Sequence, residues 1–398
     1  MTPLALTHFT ATCCIGRGVR EMLAALEAQY TGLTPCKFET VELDTYVGEV
    51  AGIDSQRLPE GLEEFNCRNN RLAQLGLQQD GFAEAVENVA ARVGRRRIGV
   101  FLGTSTAGIL ETEIAYRHRD PATGALPAGL HYRGTHNSFS VADFARHALR
   151  LEGPAVVVSS ACSSSAKVFG SARRMMAAGL IDAAVVGGVD SLCLTTLYGF
   201  HSLQLVSSLP CRPFDAARDG ISIGEAAAFA LLERIPPTGP ETEAVMLLGI
   251  GESSDAYHMS SPHPEGRGAR AAMLQALDSA GLRPSDIDYI NLHGTGTPSN
   301  DNAEARAVTA VLGSDVPASS TKGATGHTLG AAGALEAVIC TLALRHGLMP
   351  AGLNTATADP SLGVHYLLEN RRQKLARVMS NSFGFGGSNC SLIFGRAQ

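Results

Sequence analysis

The sequence lacks the features of a membrane protein, of a secreted protein and of a nucleic-acid-binding protein. With 32 Lys and Arg against 38 Asp and Glu in 398 residues, it lacks the basic excess that phosphate neutralisation requires, which excludes a general nucleic-acid binder. It has no run of about 18 uncharged apolar residues, and no basic segment followed by an apolar one begins the chain. We therefore expect neither a membrane span nor a signal peptide.

Common signatures of metal, nucleotide and hydrolase chemistry are also missing. The nine cysteines include no CxxC pair, so we expect reduced thiols in a cytoplasm rather than a disulfide framework or a zinc knuckle. There is no GxxxxGK[ST] phosphate loop and no HExxH zinc helix, and GTSTAG around Ser105 fails the GxSxG pattern. These absences argue against an ATPase, a zinc protease and an α/β-hydrolase.

What is present indicates a large α/β protein. The chain is 45% apolar, and its length allows two or three domains or one doubled unit. Buried strand patterns such as RRRIGVFLG, GPAVVVSSA and DAAVVGGVD alternate with helical ones, which favours sheets layered between helices. A Pro- and Gly-rich break at residues 233–244 predicts a boundary between two halves, 1–240 and 241–398.

The two halves carry a weak internal likeness. VVVSSACSSSAKVFGSARRMMAAGLI and VPASSTKGATGHTLGAAGALEAVICTLALRHGLM both place an extended run and a Ser-Ser pair before a small-residue turn and a helix. Strand–turn–helix units of this kind occur in many α/β proteins, so the likeness supports a doubled fold without proving it.

Cys162 is the candidate nucleophile. It follows a strand-like run and opens a segment whose apolar residues fall on one helical face. At a helix N-terminus, unpaired N–H groups and the positive end of the dipole favour thiolate, which predicts a nucleophile that needs no obligatory base. The alternative is a buried structural cysteine, since free Cys often packs as a small apolar residue.

Two histidines and a lysine lie in turns rich in small residues. His293 is in NLHGTGTPSNDNAEA and His327 is in STKGATGHTLGAAGA, where backbone and substrate can approach closely. Hydroxyls of the neighbouring threonines, among them Thr295 and Thr297, can fix the imidazole tautomers. Lys322 stands among small or apolar residues, although an ordinary surface lysine is the alternative.

A glycine-rich segment near the C-terminus, NSFGFGGSN at residues 381–389, can expose backbone N–H groups as an oxyanion site requires. A tight β-turn accounts for the same composition equally well.

Taken together, these segments resemble the β-ketoacyl-acyl-carrier-protein synthases, the condensing enzymes of fatty-acid and polyketide assembly. The likeness spans nearly the whole chain, and its blocks follow the order of that family. The blocks are SSACSSSAK around Cys162, CRPFDAARDGISIGEAA (211–227), DAYHMSSPHP (255–264), HGTGTPSNDNAEA (293–305), KGATGHTLGAAGALE (322–336) and NSFGFGGSN (381–389).

The resemblance implies a thiolase-like fold, in which two similar α/β halves stack as five αβαβα layers, and a dimer with a pocket at its interface. It implies that Cys162 accepts the acyl chain, that the backbone N–H groups of Cys162 and Phe385 hold the oxyanion, and that His293 and His327 act on the malonyl group. Lys322 and Glu336 match a supporting ion pair. No metal or organic cofactor is expected.

The resemblance also implies substrate and partner contacts. Thr295, Thr297 and Phe200 are the expected substrate-binding residues. The partner would be an acidic acyl carrier protein, and Arg68 and Arg71 in NCRNNRLAQ are the candidate contacts despite the net charge of −6. The protein would form a homodimer, or a heterodimer with a homologous subunit.

Two departures from the family pattern indicate a specialised pathway. The N-terminus LALTHFTATCCIGRGV lacks the usual TGxGxxSPxG-like start, and Thr106 stands where housekeeping elongases often place a bulkier residue beside the acyl pocket. Both suggest a condensing enzyme of a specialised cluster, such as one that makes aryl polyenes.

Two other functions stay open at this point. One is a noncatalytic partner subunit that shapes the pocket of a homologue, although such subunits typically lack the nucleophile. The other is a thiolase-like acyltransferase that does not decarboxylate, for which Cys390 is the only plausible second cysteine.

Overall fold

The computed structural model describes residues 1–236 and 244–397. The helices are α1 Val19–Glu27, α2 Arg68–Leu77, α3 Phe82–Val93, α4 Ile109–Arg117, α5 Ser140–Ala148, α6 Ser164–Ala177, α7 Leu194–Ser202, α8 Arg267–Ala280, α9 Pro298–Leu312, α10 Lys322–Thr325 and α11 Ala332–His346. The strands are β1 Leu4–Cys13, β2 Gly16–Arg17, β3 Thr34–Pro35, β4 Tyr46–Gly48, β5 Ile98–Gly103, β6 Ala155–Val158, β7 Ala183–Asp190, β8 Ile223–Gly224, β9 Ala226–Arg234, β10 Val245–Ser254, β11 Tyr289–Asn291, β12 Ala318–Ser319, β13 Leu348–Met349, β14 Arg371–Arg372, β15 Arg377–Gly384 and β16 Ser388–Arg396.

The main sheet path consists of two five-stranded parts joined at one edge. The N-terminal part has the order β6-β5-β7-β9-β1, and the C-terminal part continues as β10-β16-β15-β11-β12. Only Leu4–Leu6 of β1 pairs with Val245–Leu247 of β10, whereas β1 pairs with β9 along its length. In each part, parallel and antiparallel pairs are mixed.

Helices α6 and α11 lie between the two parts of the sheet. Both contact strands of each part, α6 mainly β5 and β7 and α11 mainly β9 and β15, and they also contact each other. The outer face of the N-terminal part is covered by α2, α3 and α5, and that of the C-terminal part by α8 with α9 packed on it. The expected five αβαβα layers are confirmed.

Three apolar clusters hold these layers together. The middle one contains Phe169 and Met176 of α6 with Leu335 and Ile339 of α11. Separate clusters fill the space beneath the N-terminal outer helices and beneath α8 and α9. Burial on both sides explains why the strands read as nearly continuous apolar runs.

One segment, Leu329–His346, is long and apolar enough to cross a membrane by length and composition alone. Because 89% of it is buried inside the fold, as part of α11 and the turn before it, it is a core helix. The boundary between residues 240 and 241, with Pro237, Gly239 and Pro240, lies outside the described residues and stays a prediction.

Candidate active site

Cys162 lies in the sharp connection between β6 and α6. The preceding residue, Ala161, has a left-handed backbone (φ 53°), which turns the chain so that Cys162 comes just before the helix. The loop 384–387 packs directly on this turn: a Cβ on Gly384 would lie 3.1 Å from the Cys162 nitrogen. Glycine is therefore required at position 384 for the close approach. Cys162 is 5% exposed.

The structure brings both predicted histidines to Cys162. The His327 Nε2 atom lies 3.0 Å from the Cys162 Sγ atom, and the rings of His293 and His327 meet edge to face with centroids 5.3 Å apart. One ligand atom from each of the three residues lies within 4.8 Å of the others, a spacing that by itself would also suit a metal ion. The three side chains converge from both halves of the chain on one buried point.

The Cys162 thiol lies in surroundings that act on its pKa in opposite directions. Burial raises the pKa of its thiol to about 11, although the Lys322 charge and the backbone N–H groups of Phe385 and Cys162 lower it. Desolvation thus opposes the effect of the helix N-terminus, and the nucleophile without an obligatory base stays a prediction. His327 is placed where it can take the thiol proton.

Lys322 and Glu336 form the predicted ion pair in the interior, where both are nearly inaccessible. The Lys322 ammonium also donates to the His293 carbonyl oxygen at 2.6 Å and approaches His293 Nδ1 at 3.5 Å. Since an ammonium only donates, Nδ1 of His293 accepts and the ring proton is on Nε2. Lys322 therefore orients His293 as an N–H donor.

The two imidazoles are neutral. Burial and the nearby Lys322 charge lower the pKa of both His293 and His327 well below the usual value, and His327 lowers that of His293 further. In Glu336, burial raises the carboxyl pKa to about 7 against the opposing effect of Lys322. Neutral imidazoles can accept a proton at one nitrogen and donate from the other.

Two carboxylates of α9 hold the His293 loop, and sequence reasoning missed both. Glu304 accepts the backbone N–H groups of His293 (2.8 Å) and Gly294 (2.7 Å), and burial raises its pKa to about 7. Asp301 accepts the N–H groups of Thr295 (3.0 Å) and Gly296 (3.3 Å). The sequence did contain a signal for them. Asp301 and Glu304 are separated by three positions near the start of α9, so they lie on the same face of the helix.

A pocket leads to the three side chains. The Thr295 and Thr297 hydroxyls lie 2.9 Å apart on its wall, and the rings of Phe200 and Phe385 contact each other at 5.5 Å between centroids. Residues that line it besides the catalytic ones are Phe200, Leu205, Ile221, Asp255, Ser260, Ser261, Pro262, Thr295, Thr297, Ser299, Asn300, Phe383, Gly384, Phe385 and Asn389. Thr295, Thr297 and Phe200 line this pocket, and their role in substrate binding stays a prediction.

Thr106 is not placed beside this pocket. It is 1% exposed, and its hydroxyl donates to the Asp190 Oδ1 atom at 2.9 Å and accepts the Ser191 N–H at 3.2 Å. The expectation that Thr106 contacts substrate is wrong in the described chain, because a buried carboxylate turns its side chain inward.

The carrier-protein contacts assigned to the α2 arginines are also corrected. The Arg68 side chain is 3% exposed and pairs with Glu225 (2.7 Å), Asp54 and Glu49, so it cannot reach a partner. Arg71 is 18% exposed and lies near Asp54 and Glu111, so its charge is already matched within the chain. The run NCRNNR gave no sign of these carboxylates, which come from distant segments.

Cys390, the candidate second cysteine of a thiolase, is not in the pocket. It lies in β16 within the central apolar cluster, fully buried, and burial raises its thiol pKa. A thiolase-like mechanism therefore lacks its second cysteine at this site.

Family models match most of the chain. The model of the β-ketoacyl synthase N-terminal domain matches residues 12–236, and that of the C-terminal domain matches residues 244–356. The chain belongs to the β-ketoacyl synthase family. The predicted family and thiolase-like fold class are thus confirmed.

Individual relatives agree with this family. The chain is 31% identical to 3-oxoacyl-[acyl-carrier-protein] synthase 2 of Vibrio cholerae over 96% of each protein. It is 41% identical to the mitochondrial 3-oxoacyl-[acyl-carrier-protein] synthase of Arabidopsis thaliana, where the match covers 61% of this chain and 56% of the plant protein. With the synthase 2 of Coxiella burnetii it shares 38% identity over 62% of this chain and 63% of that protein.

Solved ketosynthases share the whole fold. A ketosynthase solved in complex with its chain length factor, from Xenorhabdus doucetiae, has a TM-score of 0.88 and 38% identity, covering 100% of this chain and 98% of that one. A β-ketoacyl synthase from Burkholderia phymatum has a TM-score of 0.86 and 29% identity, with both chains fully covered.

Proposed function

We propose that the protein is a β-ketoacyl-acyl-carrier-protein synthase that extends a Cys162-bound acyl chain by two carbons through decarboxylative condensation with malonyl-carrier protein. The observation that carries this proposal is the convergence of Cys162, His293 and His327 in one pocket, with His327 Nε2 3.0 Å from the sulfur. In the first step, Cys162 Sγ attacks the acyl thioester and His327 takes the thiol proton. The N–H groups of Cys162 and Phe385 stabilise the oxyanion, and the carrier sulfur leaves as a thiol with the proton that His327 accepted.

The second step uses the two histidines. When malonyl-carrier protein loses CO₂, its thioester oxygen becomes an enolate, and the Nε2–H of His293 stabilises that charge. His327 donates as well, because acylated Cys162 no longer offers a proton to its Nε2 atom and the neutral ring can carry its own proton there. The carbon that lost CO₂ then attacks the acyl-Cys162 carbonyl, and the Cys162 thiolate leaves and takes up a proton from solvent as the β-ketoacyl-carrier protein forms. Lys322 supports this role because it leaves the His293 proton on Nε2.

The complete site favours a catalyst over a noncatalytic partner subunit. Among the described residues, the edge strand β6, Ala155–Val158, pairs only with β5, and its four apolar residues are half-buried in the single chain. An apolar strand edge of this kind is suited to pairing with another chain. We propose that this edge forms a dimer interface, with a second copy or a homologous chain length factor as the partner.

Fatty-acid, polyketide and aryl polyene assembly all use this condensation, and we propose the last as the context. Two observations support the aryl polyene context. The N-terminus is atypical of the family, and the chain is 38% identical to a ketosynthase solved in complex with its chain length factor. We also propose a cytoplasmic location, since all nine cysteines are free thiols in the structure.

The test is the intact mass of the protein after incubation with carrier-bound acyl and polyenoyl thioesters, followed by a chase with malonyl-carrier protein. We expect one acyl adduct on wild type, its loss in Cys162→Ala, and its discharge by malonyl-carrier protein with release of CO₂. The best-loaded chain identifies the substrate class.

Cys36→Ser is the matched control, because Cys36 is a more exposed thiol than Cys162 and should be irrelevant to loading. An adduct that persists in Cys162→Ala and disappears in Cys36→Ser would overturn the assignment of the nucleophile. An adduct on Cys162 that malonyl-carrier protein does not discharge would overturn the condensing reaction.

A further inference from the structure

Asp190 is a fully buried carboxylate at the end of β7, and no cation pairs with it in the described part of the chain. A buried carboxylate is costly unless donors surround it. Its Oδ1 atom accepts from the Thr104 hydroxyl (2.7 Å), from the Ser105 N–H (2.7 Å) and from both the N–H and the hydroxyl of Thr106 (2.9 Å each). Its Oδ2 atom accepts the Gly330 N–H at 2.5 Å.

These bonds join three segments of the active site. Ser105 donates from its hydroxyl to the carbonyl oxygen of Ala161, the residue before Cys162. Gly330 follows His327 by three residues, and a Cβ at this position would lie 2.7 Å from the Ser105 hydroxyl oxygen and 2.8 Å from Asp190. The His327 loop is therefore packed directly against the loop that supports the nucleophile.

Each of the three segments contains a non-glycine residue in the left-handed region: Ala107 (φ 43°), Ala161 (φ 53°) and Leu329 (φ 51°). Strained backbone of this kind persists only where surrounding contacts determine it. Asp190 provides such contacts to the first and third segments directly, and to the second through Ser105.

We propose that Asp190 is a positioning residue that sets the distance between His327 and Cys162 by binding both loops at once. This inference rests on the proposed condensing function and names a further residue for it. The two oxygens have separate tasks: Oδ1 organises the loop at Thr104–Thr106, and Oδ2 holds the His327 loop.

Asp190→Asn separates these tasks. In this variant, the amide oxygen should take the position of Oδ1, because four donors point to that position. The amide NH₂ then faces the Gly330 N–H. Two donors face each other there, so the Gly330 N–H loses its acceptor.

Because His327 acts in both steps, we expect acyl loading on Cys162 and CO₂ release from malonyl-carrier protein each to fall about tenfold or more at neutral pH. Loading should recover as the pH rises, because the Cys162 thiol then ionises without His327. A purely structural role would lower loading by the same factor at every pH.

Asp215→Asn is the matched control. Asp215 is a buried carboxylate that accepts backbone N–H groups of Ala217, Ala356 and Thr357, and it does not line the pocket. A fall in loading that is the same at every pH in Asp190→Asn, no fall at all, or the same pH-dependent fall in Asp215→Asn would overturn the inference. If wild type itself neither loads nor decarboxylates, the proposed function fails instead.

Where Asp190→Asn does not fold, Thr106→Val takes its place, because it removes one donor to Asp190 with little change in volume. The same pH-dependent fall in loading, smaller in size, is expected, and a fall of equal size at every pH overturns the inference.

Discussion

The nucleophile side of the pocket, around Cys162, and the histidine side, around His293 and His327, are built by different means. The nucleophile side relies on hydroxyls and backbone N–H groups, and its carboxylate, Asp190, accepts hydrogen bonds from such neutral donors. The histidine side contains a buried ion pair, Lys322 with Glu336, and a carboxylate, Glu304, beneath the His293 backbone.

The difference matches the chemical task of each side. A neutral thiol needs an acceptor for its proton and donors for the oxyanion, and fixed backbone geometry supplies those donors. Two histidines that must stay neutral and donate protons need an electrostatic environment, which the Lys322 charge and burial supply by lowering their pKa. Similar folds in the two halves thus carry unlike sites.

The largest effect that would sharpen this comparison is expected for Lys322→Met. It removes the cation that orients His293 and leaves Glu336 buried without a partner, so CO₂ release from malonyl-carrier protein should fall by about 100-fold or more. Acyl loading of Cys162 should fall far less. Radiolabelled CO₂ release and intact mass measure the two steps.

The exposed Lys374→Met serves as the control for that change and should leave both steps unaltered. Equal losses of loading and decarboxylation in Lys322→Met would break the division between the two sides.

The next effect concerns stability. Arg68→Met leaves Glu225 charged and buried in the N-terminal half, so the free energy of unfolding should drop by about 3 kcal/mol while KM for the carrier protein is unchanged. Arg71→Met should lower the free energy of unfolding by less than about 1 kcal/mol, because that side chain is partly exposed.

Urea unfolding measures the stability of both variants, and steady-state kinetics measures KM for the carrier protein. A raised KM with unchanged stability in Arg68→Met would restore Arg68 as a carrier contact.

Glu304 predicts a pH dependence of stability. Its pKa is about 7 in the folded protein against an ordinary 4.5, so the folded state holds the proton more tightly than the unfolded state. Its contribution to the free energy of unfolding is fully present below pH 4.5 and is lost as pH rises through about 7. The glutamine of Glu304→Gln cannot titrate. Between pH 4.5 and about 7, the free energy of unfolding of this variant should therefore change less than that of wild type, by up to about 3 kcal/mol.

Urea unfolding at several pH values checks this expectation. Asp359→Asn is the contrasting control, because the Ser361 hydroxyl and Arg218 lower that pKa to about 2, and its effect should appear only in more acidic solution. An unchanged profile in Glu304→Gln would mean that this carboxyl is already ionised in the folded protein at acidic pH.

The smallest effect is expected in the pocket wall. Thr297→Ala removes one of two paired hydroxyls, so KM for malonyl-carrier protein should rise about three- to fivefold with kcat nearly unchanged. Thr309→Ala, which removes a hydroxyl that bonds within α9, should change neither constant. A fall in kcat alone would instead place Thr297 among the groups that act in the transition state.

Much of the site could be predicted from short segments. Cys162 at a strand-to-helix turn and His327 in a Gly-rich turn follow from local patterns, because turns and amphipathic periodicity depend on neighbours in sequence. The same holds for the layered fold, which strand and helix patterns indicate. Asp190 and Glu304 were missed, because nothing local distinguishes a carboxylate that binds the backbone of another segment from an ordinary one.

By itself, the sequence determined which elements form, where the nucleophile stands in them and to which family the chain belongs. Only the tertiary structure decided which charges are buried and paired. It withdrew Arg68 from the surface, turned Thr106 towards Asp190, and buried Cys162 beside His327, which raises the pKa of the thiol. The physical reason is that burial and ion pairing join residues more than a hundred positions apart, as in the pair of Arg68 and Glu225, whereas local patterns extend over a few turns.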